Sequence, residues 1–146
     1  MVLRRLLGRG PDEVALLVDG PNVFRDEFDV DLADLRAAGE SFGRLAVARV
    51  YFDVRASSGL IQAAEAHGFA VRVTSGDVDV SLAVDGTELV TGGAVDTLVV
   101  ASRDMDFKPL LEAAARHGLR TVALAPGEHG RSEALTAVAD EAVLLD

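Results

Sequence analysis

Two short apolar runs place the strongest constraint on how this 146-residue chain can fold. The first, Val14–Val18, leads directly into Asp19, and the second, Thr97–Ala101, is followed three residues later by Asp104. Continuous rather than alternating apolar residues predict strands buried on both faces, as in a parallel sheet covered by helices. We therefore expect an internal sheet with carboxylates just beyond the ends of its strands.

Strand and helix signals alternate along the rest of the chain. Further strands are predicted over 45–52, 69–73 and 119–124, and 142–145 could add a short last strand. Helices are predicted over 32–38, 60–67, about 78–90, 106–117 and 132–139, although the alternation at 78–84 would also fit a strand. This order predicts an α/β fold, a three-layer α/β/α sandwich around a mostly parallel central sheet of about five strands.

Length and composition predict one domain. Residues 12–146 have enough apolar content, 49% over the whole chain, for a single core, and residues 1–11 form a basic N-terminal tail or arm. The absence of cysteine excludes disulfides and thiolate metal sites, and three scattered histidines disfavour a histidine-rich one. No signal-peptide core or membrane-length apolar run occurs, so we expect a cytoplasmic protein that does not enter a membrane.

The charge balance of the chain is unusual for a protein that binds nucleic acid. The net charge is -10, and Lys108 is the one lysine beside thirteen arginines. Phosphate binding depends on basic residues, so this composition disfavours binding driven by overall charge. An acidic, lysine-poor surface is typical of proteins that work in concentrated salt, where charge is screened and local geometry decides binding. Stability and activity in dilute buffer would contradict that halophile-like interpretation.

Four aspartates are placed to form a cluster. Asp19 and Asp104 follow predicted strands, Asp79 opens a predicted helix, and Asp106 lies two residues beyond Asp104. Ligands of such sheets gather beyond the carboxyl ends of the strands, where the strand order reverses. If the first and fourth strands are neighbours, the four carboxylates meet there, and their repulsion requires a cation or a proton. A hard metal ion held by oxygen is the obvious candidate.

Three of these aspartates also have a purely structural interpretation. Asp106 could be a helix N-cap, Asp79 a first-turn charge facing the helix dipole, and Asp19 a turn residue before Gly20. Asp85 lies some 240° around an ideal helix from Asp79 and is interpreted as solvated or accessory rather than as a ligand.

Three sequence blocks then carry a family resemblance. They are Val18-Asp-Gly-Pro-Asn22, Gly76-Asp-Val-Asp79 through Asp85, and Val100 through Leu110 with Ser102-Arg-Asp104-Met-Asp106 at its centre. In order and spacing they resemble the NYN domain of the LabA-like group in the PIN-like nuclease superfamily, over roughly residues 14–145. The resemblance implies a PIN-like fold and a metal-dependent ribonuclease.

The resemblance also implies roles for individual residues. Asp19, Asp79, Asp104 and Asp106 correspond to the metal ligands, for Mg²⁺ or Mn²⁺, and with Asn22 they form the expected catalytic set. Arg103 departs from the family, which commonly has glycine there, and could narrow access or contact phosphate. The expected substrate is single-stranded RNA. Formation of a homodimer is a further possibility. Separately from the resemblance, residues in loops or helix starts expected at this edge of the sheet are candidate phosphate contacts. With Ser102, the expected substrate contacts are Arg103, Arg25, Lys108, His129 and Arg131.

Two alternatives remain open at this point. The chain could be a non-catalytic RNA-binding or regulatory module that keeps an acidic metal pocket. It could also be a Toprim-type phosphoryl-transfer domain, which likewise uses acidic residues after parallel strands but normally begins with Glu where this chain has Asp19.

Overall fold

The computed structural model of the protein describes residues 12–24, 30–127 and 132–145. Within them a single parallel sheet has the strand order β3-β2-β1-β4-β5-β6. The strands are β1 (Glu13–Asp19), β2 (Arg44–Asp53), β3 (Ala70–Thr74), β4 (Thr97–Ala101), β5 (Arg120–Ala125) and β6 (Glu141–Leu144). The sixth of these strands is the short last strand that 142–145 could add, and it pairs in register with β5.

Helices cover both faces of the sheet, so the predicted three-layer α/β/α architecture is confirmed. One face packs against α4, α5 and α6, and the other against α2 and α3. The helical segments are α1 (Gly20–Val23), α2 (Leu32–Glu40), α3 (Ser58–Ala66), α4 (Val78–Gly92), α5 (Lys108–Arg116) and α6 (Glu133–Val138), with a 3₁₀ turn over Met105–Phe107. None of them is long and apolar enough to cross a membrane.

The central strand β1 explains the continuous apolar run. Residues Val14 to Val18 are all fully buried. Ala15 and Leu17 belong to the core on the α4 side, whereas Val14, Leu16 and Val18 belong to the core on the α2 side. Because successive side chains of a strand point to opposite faces, burial on both sides requires an apolar residue at every position.

Side-chain caps define the starts of two helices. Asp31 accepts hydrogen bonds from the amides of Ala33 and Asp34 at the start of α2, and Ser57 accepts one from Leu60 at the start of α3. The segment after β4 differs from the prediction. Asp104, not Asp106, caps the 3₁₀ turn that precedes α5, so the N-cap interpretation of Asp106 is wrong.

The strand order reverses between β1 and β4. These strands are parallel neighbours, with Val18 opposite Ala101, and the chain adds β2 and β3 on one side of them and β5 and β6 on the other. The condition for bringing the aspartates together is therefore confirmed. A crevice opens beyond the carboxyl ends of strands where such a reversal occurs.

Candidate metal centre

Three carboxylates converge at the carboxyl edge of the sheet. Asp79, Asp104 and Asp106 each offer an oxygen atom, and these atoms all lie within 4.8 Å of one another. Asp79 comes from the first turn of α4, and the other two come from the loop after β4 and its 3₁₀ turn. Asp79 and Asp104 are half-buried, whereas Asp106 is exposed. Residues more than twenty positions apart in sequence thus share one cluster.

Asp19 lies beneath this cluster at the end of β1. It is 5% exposed, and its pKa is raised from 3.8 to about 6. Burial is the largest cause, and the charges of Asp104 and Asp79 add to it, while the Ser102 hydroxyl and the backbone N–H of Asn22 lower the pKa. The Asp19 carboxylate is therefore destabilised by its surroundings and would be stabilised by a cation.

Two polar side chains tie the ends of β1 and β4 together. The Ser102 hydroxyl donates to Oδ2 of Asp19 at 2.9 Å and accepts from the Asp104 amide at 3.0 Å. Oδ1 of Asn22 accepts from the Arg103 amide at 2.9 Å. Ser102 is 2% exposed, and both of its hydrogen bonds lead to the aspartates. Its surroundings therefore suit a role in positioning Asp19 and Asp104 better than the substrate contact that we expected. Asn22 likewise orients the loop that carries Asp104.

The residues present fit a hard divalent cation. Every side chain of the cluster supplies carboxylate oxygen, the donor type that Mg²⁺ and Mn²⁺ prefer. Among the described residues, no basic side chain forms a salt bridge with Asp79, Asp104 or Asp106. Carboxylates that crowd together without a basic partner repel one another, and a bound cation removes that cost.

The carboxylates border an open cleft, which we call the acidic cleft. It is lined by Asp19, Pro21, Asp53, Arg55, Gly76, Asp77, Val78, Asp79 and Asp104. Sequence reasoning missed Asp53, Asp77 and Arg55. Asp53 ends β2, beside β1, so the argument that selected Asp19 at a strand end would also have selected Asp53. Arg55 could have been selected next, because it follows Asp53 by two residues and pairs with its carboxylate.

The expected substrate contacts are distributed differently. Lys108 is exposed at the start of α5, and Arg103 is half-buried in the loop after β4. Neither lines the acidic cleft. Arg25, His129 and Arg131, together with the 1–11 tail, lie outside the described residues.

Comparison with solved structures supports the fold. A crystal structure of a protein of unknown function from Vibrio parahaemolyticus superposes with a TM-score of 0.80 over 94% of each chain. The two sequences are 22% identical, so this likeness concerns the fold alone.

Sequence comparison finds a relative of greater length. An uncharacterized protein of Methanocaldococcus jannaschii is 40% identical over 137 residues, which is 94% of this chain. The match covers 57% of that relative, so the chain spans little more than half of its length.

Comparison with protein families gives a match that covers nearly the whole domain. Residues 13–146 match the NYN domain, a nuclease-like domain of the PIN-like superfamily. The match includes all four strand-end and helix-start aspartates of the site, and it excludes the Toprim-type alternative. The chain belongs to the NYN domain family of the PIN-like nuclease superfamily.

Proposed function

We propose that this domain is a divalent-metal-dependent endoribonuclease of the LabA-like group, which hydrolyses single-stranded RNA in the cytoplasm. The observation that carries the proposal is the convergence of Asp79, Asp104 and Asp106 above the buried Asp19, at the crevice between β1 and β4. Membership of a nuclease superfamily supports this assignment.

The four aspartates divide into two layers. Asp79, Asp104 and Asp106 would hold Mg²⁺ or Mn²⁺, because their oxygens face one another at the mouth of the site. Asp19 lies deeper, with one oxygen fixed by Ser102, and completes the negative field from below. When bound, the cation supplies Lewis-acid activation of a phosphodiester and of the attacking water.

The protein's own contribution is to hold the carboxylates in place against their repulsion. The Ser102 hydroxyl links Asp19 to the Asp104 backbone, and Asn22 fixes the intervening Arg103 backbone from the other strand. The Asp104 side chain in turn accepts from the Asp106 amide at 2.9 Å. Such fixed groups need no rearrangement when the reaction begins, which is the advantage of a preorganised site.

RNA cleavage tests this proposal. Wild type and Asp104→Asn, purified identically, are incubated with an end-labelled single-stranded RNA in Mg²⁺, Mn²⁺ or EDTA. We expect metal-dependent internal cleavage by wild type and a loss of at least about 100-fold in Asp104→Asn, since substitutions in the outer shell of metal sites already cost 10–100-fold.

A matched variant controls for general effects of charge removal. Asp34→Asn changes an exposed carboxylate in the first turn of α2, on the opposite face of the sheet from α4. We expect it to cleave like wild type. Equal cleavage by wild type and Asp104→Asn would contradict the assignment, and RNA binding without cleavage would favour the non-catalytic RNA-binding alternative.

A further inference from the structure

A second depression, which we call the side groove, continues from the acidic cleft between α1 and the start of α3. It has a volume of about 330 Å³, at the lower end of the 300–1,000 Å³ range typical of small-molecule sites. Pro21, Asp53 and Arg55 line both depressions, so one surface runs from the carboxylates into the groove. Phe24, Phe52 and Leu60 provide its apolar wall.

The wall of the side groove carries a supported aromatic ring. The rings of Phe24 and Phe52 lie 6.0 Å apart between centroids, tilted by 37°. Phe52 is only 2% exposed and backs Phe24, which is half-buried and borders the groove. A partly exposed aromatic face held by a buried one is a surface on which a nucleobase can stack.

Arg55 brings a positive charge to the junction of cleft and groove. Its side chain is 85% exposed, and Oδ2 of Asp53 accepts from its Nε at 3.2 Å and from its Nη2 at 2.7 Å. Oδ1 of Asp53 accepts from the Arg55 amide at 2.9 Å. Within the described part of the chain, Nη1 has no hydrogen-bond partner. Asp53 thus fixes the orientation of the guanidinium while part of it stays available to a ligand.

Charge makes this arginine important for an anionic substrate. Asp19, Asp53, Asp77, Asp79 and Asp104 line the acidic cleft, and a phosphate chain that approaches it meets a negative surface. Arg55 is the one basic side chain among the described residues that line the cleft or the side groove. The exposed guanidinium is therefore the group there that can bind a phosphate directly, in the forked geometry that arginine favours.

We propose that the side groove binds the nucleotide next to the cleaved phosphodiester of a single-stranded RNA, with its base on Phe24 and its phosphate on Arg55. The inference rests on the proposed function for the position of the cleaved bond. A duplex is excluded from this role because its bases are already stacked and paired, whereas a single strand presents an unstacked base. Asp53 is then a positioning residue for Arg55 rather than a metal ligand.

Binding measured without cleavage tests the side groove. Fluorescence anisotropy follows a labelled mixed-sequence RNA decamer with Ca²⁺ in place of Mg²⁺, and a gel confirms that the RNA stays intact. We expect Arg55→Ala to weaken binding about tenfold and to reduce the salt dependence by about one phosphate contact. Phe24→Leu, which keeps an apolar side chain, is expected to weaken binding at least about fivefold through lost stacking.

Arg44→Ala is the matched control. Arg44 is another exposed arginine paired with a carboxylate, Glu13, but it lies at the opposite edge of the sheet. We expect the RNA affinity of Arg44→Ala to stay within about twofold of wild type, because Arg44 lies at the other end of β2 from Asp53. The loss of its surface ion pair should also change stability little. Melting temperatures of all variants show whether each is folded.

The outcomes separate this inference from the nuclease assignment. If wild type cleaves RNA but Arg55→Ala and Phe24→Leu change neither affinity nor KM, the side groove proposal is wrong and the nuclease proposal stands. If wild type binds RNA through Arg55 and Phe24 without cleaving it, the side groove proposal is supported and the nuclease proposal is wrong. An equal loss in Arg44→Ala, or no RNA binding by wild type, would overturn the groove.

Discussion

Asp79 and Asp85 lie six residues apart on α4, yet their surroundings are opposite. Asp85 accepts a hydrogen bond from the Tyr51 hydroxyl at 2.7 Å and pairs with Arg49 at 3.4 Å and Arg72 at 3.9 Å. Asp79 accepts only from the neighbouring Val80 amide at 3.0 Å among the described residues, and otherwise faces Asp104 and Asp106.

The contrast separates a structural carboxylate from one available to a ligand. At Asp85, two arginines and a tyrosine offset the cost of partial burial, and the charge joins α4 to β2 and β3. At Asp79, no basic side chain in the described ranges forms an ion pair with the carboxylate. A fold gains nothing from crowding carboxylates, so an unbalanced cluster in a cleft indicates function.

The largest stability effect should come from the balanced site. We expect Asp85→Ala to lower the free energy of unfolding by about 3 kcal/mol, because it leaves the buried Tyr51 hydroxyl and a half-buried Arg49 without their partner. Chemical denaturation measures the loss. Asp85→Asn, which keeps an acceptor for Tyr51, should lose less. If Asp85→Ala were as stable as wild type, Asp85 could not be called a structural carboxylate in contrast to Asp79.

A smaller effect should appear at alkaline pH. Burial, with the hydrogen bond to Asp85, raises the pKa of Tyr51 above its ordinary value of 10.0. The folded protein keeps this proton at a pH where the unfolded chain loses it, so the contribution of Tyr51 is complete below pH 10 and is lost as pH rises beyond it. Tyr51→Phe should cost about 1.5 kcal/mol at neutral pH and flatten that alkaline loss. Identical alkaline unfolding curves for both proteins would contradict this account.

The two sites also differ in how far sequence could predict them. The Asp19, Asp79 and Asp104 positions follow from strand ends and a helix start, signals that are local and that a parallel sheet gathers at one edge. The prediction that Asp85 is solvated is wrong, because its carboxylate is partnered by Tyr51, Arg49 and Arg72, which come from β2 and β3 and depend on the register of those strands. Helix geometry alone placed Asp85 away from the carboxylates that cluster around Asp79.

The fold itself was predictable because its signals repeat at every element. The continuous run in β1, the caps Asp31 and Ser57, and the alternation of strands with helices all indicate one architecture. Two details were not predictable in this way: the pairing of β6 with β5 at the edge of the sheet, and the 3₁₀ turn before α5. Both depend on tertiary contacts. The roles of Ser102 and Asn22 as links between β1 and β4 also required the packed structure.

Thermal unfolding during a Mn²⁺ or Mg²⁺ titration tests the central claim most directly, with metal-free wild type, Asp104→Asn and Asp85→Asn compared. At an ion concentration of about 100 times Kd, the wild-type Tm should rise by roughly 5–10 °C. Asp104→Asn should begin at a higher Tm, because one repelling charge is gone, and should not rise. Asp85→Asn should begin lower and rise like wild type. No metal-dependent rise in wild type, or an equal rise in Asp104→Asn, would contradict the assignment of this cluster as a metal centre.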